Sequence, residues 1–398
     1  MQRMKFNRLE FSGSLGDLGT LLPIAIGMIL LNGLSPLGVF LSVGFSYIFT
    51  GLYFRVTVPI QPMKVIGAYA IATGMTAQNI IASGALMGVF LLIVGATGAI
   101  SIIGKYIPKS VVRGVQLSTG ILLVAQGAGF IIGNSKFQLL RNAAEPYLSI
   151  QNIGPVPVGI VIGVIAVLLS LAFIDSKKFP AGLITVLGGI VLGTLLGTHE
   201  GFEKLKFGIY LPELLPFEMP NFNEFLFSAI ILVLPQIPMT LGNAVISYTD
   251  LSNEYFGEFS KRVTYRSSCI SMALMNFISF LWGGMPLCHG SGGLAAHYRF
   301  GARTAGSNII IGAIFSILAL LIGKESISLF YLIPISILGV LLLFAGSQLA
   351  MTLIDVKEKK DLFIVIIMAG ITLTSNLAVG FISGIFIAYI LKSEKFSV

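Results

Sequence analysis

Apolar runs of about twenty residues, bounded by charge, glycine, proline or asparagine, follow one another along almost the whole chain. No other feature restricts the fold as much. A helix of ~20 apolar residues crosses the hydrocarbon of a bilayer, where every main-chain N–H and C=O must find a partner within the protein. The composition agrees: 55% of the 398 residues are hydrophobic and 11% charged, against about 25% charged in a soluble chain. The net charge of +8 sits in short clusters between the apolar runs, with no basic face interleaved with aromatics, which excludes nucleic acid as a partner. Cys269 and Cys288 form no CxxC pattern, so no metal site, disulfide framework or other cofactor is expected. The basic start, MQRMKFNR, is not followed by a small-residue cleavage site, so no cleaved signal peptide is expected.

The runs divide into fourteen elements, near 10–31, 36–54, 60–75, 79–103, 108–132, 155–174, 180–198, 224–249, 263–281, 286–298, 305–323, 327–350, 362–377 and 379–393. Elements three (60–75) and ten (286–298) are too short to cross as helices. Basic residues test the count, because Lys and Arg concentrate on the cytoplasmic side. With fourteen crossings of the cell membrane and both termini cytoplasmic, nineteen basic residues fall inside and five outside (Lys136, Arg141, Lys204, Lys206 and Lys324). Lys64 alone is left within the membrane. A miscounted element would invert every later loop and blur this ratio.

The chain also repeats. IGKYIPKSVVRGVQLSTG, ending at Gly120, is echoed by IGKESISLFYLIPISILGVLLLFAG, Ile322–Gly346. Both read Ile-Gly-Lys, Ile-Pro-x-Ser, Gly-Val, with a glycine twelve residues after the proline, and the two short elements lie about 225 residues apart. The expected fold is therefore an all-α polytopic membrane protein of two seven-element repeats, residues 1–198 and 223–398, joined by an extracytoplasmic connector over 199–222. Seven is odd, so the second copy is inverted. Inverted repeats with paired, Gly/Pro-interrupted short segments mark secondary transporters.

Those short segments carry the candidate site. In VPIQPMK (Val58–Lys64), Pro59 and Pro62 forbid a continuous helix before Met63, while Gln61 and Lys64 add donors and positive charge. In the second copy Pro286 breaks the chain, and His289, Gly290, Ser291, Gly292 and Gly293 lead into a short helix. Two facing half-helix N-termini, each with free N–H groups and partial positive charge, suit a small tetrahedral oxyanion. The expected ligands are the N–H groups near Met63–Lys64 and Gly290–Gly293, with Gln61, His289, Gln236 and Thr20.

Asp17 is the one acid well inside an apolar run, sharing a helix face with Gly13 and Thr20. It reads either as a strut paired with Lys64 or as a proton-coupling acid. Gln236, Thr240, Asn243, Ser247 and Asp250 form a polar stripe at 4-3-4-3 spacing. Gln236 and Thr240 are expected in the pocket, Ser247 and Asp250 in packing or at the inner surface. His289 reads as a structural donor or as a second titratable coupling group. Arg299 and Arg303 read as inner-face anchors, and Asn134–Asn152 and His199–Pro220 as solvated outer loops.

GDLGTLLPIAIGMILLNG (Gly16–Gly33), VPIQPMK, LPQIPMTLGNAVISYTDLS (Leu234–Ser252) and GGMPLCHGSGGLAAHYRFGAR (Gly283–Arg303) resemble the signature segments of the molybdate transporter family. That family is related to sulfate permeases and shares their uracil-permease-like architecture. The resemblance implies a core domain (elements one to four and eight to eleven) moving against a gate domain, often in a homodimer, and molybdate import across the lipid bilayer. Sulfate and tungstate, of like charge and shape, are the alternative substrates, and an anion channel is the alternative mechanism. Unlike many sulfate permeases, the sequence ends at Val398 soon after element fourteen, so no STAS domain is expected. An intramembrane protease is excluded: Ser14 interrupts a GxGD motif, no second acid lies at membrane depth, and His289 replaces the glycine of GxSG.

Cysteine-accessibility mapping should place the 130–154 loop outside the cell; labelling from the cytoplasm would overturn the topology.

Overall fold

The computed structural model describes residues 3–100, 107–176, 179–198, 207–323 and 326–392. Lys105, Lys177, Lys178, Lys204, Lys206, Lys324 and Lys395, the start of the first repeated block, residues 324–325 of the second, and residues 199–206 of the connector lie outside the described residues.

The first apolar run folds as two helices, α1 (Arg8–Ser14) and α2 (Leu18–Asn32), bent by 41° at the break. Helix α3 (Pro36–Phe54) starts where Ser35 accepts from the Gly38 N–H and Pro36 occupies the first turn. The unwound stretch after it contains β1 (Gln61–Pro62) and leads into α4 (Lys64–Thr73) and α5 (Ala77–Thr97). Next come α6 (Lys109–Ile132), α7 (Lys136–Leu140), the antiparallel pair β2 (Asn152–Ile153) and β3 (Val156–Pro157), α8 (Val158–Phe173) and α9 (Ala181–Leu195).

The second half opens with α10 (Phe222–Ser228), α11 (Leu234–Met239) and α12 (Tyr248–Phe256), joined through π-helical stretches Ala229–Val233 and Thr240–Ser247. Pro235 and Pro238 do not stop this helix; its irregularity takes the form of wide turns, which accommodate main chain lacking two N–H donors. Helix α13 (Tyr265–Leu281) precedes the second unwound stretch, with β4 (Leu287–Cys288), and then α14 (Ser291–Arg299) and α15 (Gly306–Ile322). The run near 327–350 splits at Pro334 into α16 (Ser326–Phe330) and α17 (Ile335–Ala350); α18 (Lys359–Thr374) and α19 (Leu377–Leu391) follow. Among the described residues, five helical stretches are long and apolar enough to cross a membrane, or six if the bent pair counts as one; α4, α8, α9, α15 and α19 are shorter apolar helices.

The helices pack in two groups. In one, α3 lies along α15 and α5 along α13. In the other, α6 lies along α17, with α18 and α19 against α6 and α8 and α9 against α17. The α6–α17 contact is made of glycine: a Cβ on Gly120 would lie 2.6 Å from the Gly346 carbonyl oxygen, and one on Gly346 would lie 2.6 Å from that of Gly120. Gly127 and Gly339 meet in the same reciprocal way. Close approach through small residues gives helices van der Waals contact where lipid supplies no hydrophobic drive between them.

The stretch read as a solvated loop over 134–152 holds a buried carboxylate. Glu145 accepts from the Ile335 N–H at 2.7 Å and from the Ser336 N–H at 2.9 Å, capping α17. Burial pushes its carboxyl above the ordinary value, opposed by these hydrogen bonds.

Gly120→Val should force α6 from α17 and cost about 1–3 kcal/mol, seen as a lower melting temperature in detergent. Gly370→Ala, with open space at its Cβ, should not lower it.

Candidate functional site

The two unwound stretches cross and pair. Gln61 stands opposite Cys288 and Pro62 opposite Leu287 in an antiparallel ladder, extended by the Met63 N–H donating to the Pro286 carbonyl at 2.9 Å. Buried asparagines satisfy the neighbouring main chain. Asn308 accepts from the Val58 N–H and donates to its carbonyl, both at 2.9 Å. Asn276 treats Leu287 likewise, at 3.0 and 2.7 Å. The crossing sets the N-termini of α4 and α14 beside one another, after Met63 and Gly290.

The two termini are not equivalent. On α4, the Val65 and Ile66 N–H groups donate to Gln236 Oε1 at 3.0 and 3.1 Å, and Gln236 Nε2 donates to Thr240 Oγ1 at 2.9 Å. Gln236 and Thr240 are both buried. On α14, the first intrahelical bond is from the Leu294 N–H to the Gly290 carbonyl, and no side chain caps the terminus. The N–H groups of Ser291, Gly292 and Gly293 precede that bond.

Ser291 and Gly292 face a cavity of about 540 Å³ between the two helix groups. Thr20 and Ile24 of α2, Lys64 of α4, and Gly242, Asn243 and Ser247 of the π-helical stretch line one side. Lys109, Arg113 and Gln116 of α6, Ala345 and Gln348 of α17, and Thr352 line the other. Three basic residues and no carboxylate line it among the described residues. A second cavity of about 260 Å³ shares Thr20, Lys64, Gly292 and Gln348 and reaches Asp17 and Arg299.

Asp17 is buried at the start of α2; its Oδ1 accepts from Gln61 Nε2 at 2.8 Å. Among the described residues, its Oδ2 and Gln61 Oε1 have no hydrogen-bond partner. Both press on glycine: a Cβ on Gly293 would lie 2.5 Å from Asp17 Oδ2, and one on Gly290 would collide with Gln61 Oε1. His289 is wholly buried behind the crossing. Its Nδ1 donates to the Pro59 carbonyl at 3.1 Å, and its Nε2 lies 2.8 Å from Ser271 Oγ.

The structure thus brings Thr20, Lys64, Ser291 and Gly292 to one cavity and sets Gln61, Met63, Gln236, Thr240 and His289 in buried positions around it. Asn243 and Ser247 carry the polar stripe into the cavity, because π-helical turns shift the 3.6-residue period that the spacing assumed. Asp250 lies outside, accepting from the Tyr265 hydroxyl. Arg299 donates to the Asp175 carbonyl at 3.0 Å, and Arg303 stacks on Tyr298. Gln116, Gln348 and Thr352 escaped the sequence reading. Lys109 and Arg113 entered it only as inner-end charges, although they stand in the repeated IPKSVVRG block.

A family model described as "Molybdate transporter of MFS superfamily" matches residues 9–123 and 228–349. The chain belongs to the molybdate transporter family. It is a multi-pass membrane transporter and not an enzyme. It is similar to Molybdate transporter 2 of Arabidopsis thaliana, at 33% identity over 96% of this chain and 87% of that protein. Molybdate transporter 1 of Chlamydomonas reinhardtii is 28% identical, over 94% of this chain and 90% of the relative. Among solved structures, the transmembrane domain of the cyanobacterial bicarbonate transporter BicA superposes with a TM-score of 0.64 at 17% identity, covering 96% of this chain and 97% of that one. The murine Slc26a9 anion transporter in the inward-facing state gives 0.66 at 13% identity, covering 98% and 69%. These likenesses establish the fold of the family member described here.

Gly292 has open space where a Cβ would stand, whereas Gly293 does not. Gly292→Ala should fold normally yet weaken oxyanion binding about tenfold or more by filling the approach to the α14 N–H groups. Gly293→Ala should lower stability as well. Titration calorimetry and thermal melting of both variants separate the effects.

Proposed function

We propose that this chain imports molybdate by secondary active transport, with the anion held at the uncapped N-terminus of α14. One observation carries the reading: the uncapped α14 terminus presents Ser291 and Gly292 to a cavity lined by Lys64, Lys109 and Arg113 and, among the described residues, by no carboxylate. Aligned N–H groups and the helix dipole favour an anion there. The names of the relatives support molybdate among oxyanions. Main-chain donors near Gly290–Gly293 bind the ligand, Lys64, Thr20 and Ser291 complete the shell, and Gln61, Met63, Gln236, Thr240 and His289 hold that shell in place.

Fourteen elements in a seven-plus-seven inverted arrangement, with cytoplasmic termini in the cell membrane, fit the reciprocal packing of α3 on α15, α5 on α13 and α6 on α17. The inverted copies then run over 1–198 and 223–398. Alternating access follows from movement of the group containing α6 and α17 against the group containing the crossing, since the cavity lies between them. The lining by Lys109 and Arg113, which the charge distribution puts inside, supports a cavity open to the cytoplasm. A homodimer is the assembly that the family resemblance favours.

A dianion entering a cell moves against the potential, at about 2.3 kcal/mol per charge per 100 mV, so accumulation requires cotransported cations. Asp17 is the proposed proton site, with an oxygen free of hydrogen bonds beside the smaller cavity; His289, with both ring nitrogens engaged, is the second. Proton uptake at Asp17 removes the carboxylate that opposes an incoming anion.

Reconstituted uptake of labelled molybdate, with sulfate and tungstate as competitors, tests the function. Asp17→Asn should abolish proton-driven accumulation while retaining binding; uphill uptake by that variant would make Asp17 a strut, and uptake driven by sodium alone would reject proton symport.

A further inference from the structure

Where α6 begins, against the turn after α17, the cavity carries a feature that the deep site does not use. Asp355 accepts from Arg113 Nε at 2.9 Å and from Arg113 Nη2 at 2.7 Å, and lies 2.8 Å from Lys109 Nζ. Both basic side chains line the cavity, and all three groups reach water. The guanidinium is aimed by its third nitrogen: Arg113 Nη1 donates to Gln116 Oε1 at 2.7 Å, an oxygen that also accepts from Thr352 Oγ1 at 2.9 Å. Gln116 Nε2 in turn contacts Met239 Sδ at 3.0 Å, on the helix that faces α6 across the cavity. A planar fork held this way matches two oxygens of one anion, whether carboxylate or tetrahedral oxyanion.

We propose that Lys109 and Arg113 form a second oxyanion station at the mouth of the cavity, which Asp355 occupies as an internal anion until a tetrahedral dianion displaces it. The station takes the same ligand chemistry as the deep site, and so rests on the oxyanion reading above. Displacement is feasible because the Asp355 carboxylate reaches water and is rehydrated when released, and a dianion offers Lys109 and Arg113 twice the charge of Asp355. An ion held there stands in the same cavity as Ser291, Gly292 and Lys64. The carboxylate confers selectivity, since a monoanion gains nothing over Asp355.

Titration calorimetry of the purified full-length protein with molybdate tests the station. In low salt, Asp355→Asn should bind a second molybdate per protomer about fivefold or more tighter than the unchanged chain does. Adding Arg113→Gln should remove that second event and leave the first. Gly292→Ala should weaken the first and spare the second, and 0.5 M salt should suppress the second selectively. Binding of a single molybdate by Asp355→Asn, with unchanged affinity, overturns the station while leaving the deep site intact. Absence of any molybdate binding by the unchanged chain overturns both. If Asp355→Asn fails to fold, Lys109→Gln carries the test. Its initial rate of molybdate transport from the Lys109 side should fall about threefold in low salt and not in 0.5 M salt; an unchanged low-salt rate overturns the proposal.

Discussion

Main chain cannot lie bare among membrane-spanning helices, and this fold contains two stretches that are not helical. Their mutual pairing makes them tolerable. The ladder of Gln61–Pro62 with Leu287–Cys288 joins residues more than two hundred positions apart. Asn308 and Asn276 imitate a further strand on either side, each giving one bond to, and accepting one from, the residue it serves in the unwound stretch. Remove that pairing and several N–H and C=O groups lose their partners, each costing several kcal/mol in hydrocarbon. The N-termini of α4 and α14, and hence the cavity they border, exist because this crossing is satisfied.

The crossing is also fastened to its surroundings. His289 links the Pro59 carbonyl to Ser271 of α13, and Tyr47 of α3 donates to the Ile60 carbonyl. Across the cavity, among the described residues, the two groups meet through Gln116 against Met239, through α4 against α6, and through α2 against α9 and α17. Packing that is broader within each group than between them fits the two moving bodies proposed above. The glycine seam between α6 and α17 does for one body what the crossing does for the other.

Much of this was legible from the sequence, and for local reasons. Proline removes a donor wherever it stands, so Pro59, Pro62 and Pro286 announced the two breaks and the short helices after them. The small residues of 290–293 announced a loop leading into the second short helix. What stayed hidden depends on distant partners. Gln236 lies 171 positions from Val65 and in the sequence is only a polar residue near two prolines. Asn276 and Asn308 looked like ordinary helix residues, because the main chain they serve is remote. Ser247, expected in packing or at the inner surface, lines the cavity instead, because π-helical turns do not keep the period that the spacing assumed. Lys109 and Arg113 sit where a membrane protein places anchoring charges, so the cavity they line left no separate trace.

The capping of α4 by Gln236 has a consequence for discrimination. With that pair of N–H groups taken, main-chain donors at a helix terminus reach the cavity from α14 alone among the described residues, and on the proposed reading the rest of a bound ion meets side chains such as Thr20 and Lys64. Such a site strips only part of a ligand's hydration shell. Tetrahedral dianions of equal charge then separate by how readily they surrender a few waters on one side. On the proposed reading, the larger, more weakly hydrated ion would be favoured without a cavity shaped to its radius, and the Gln236 amide would set that preference.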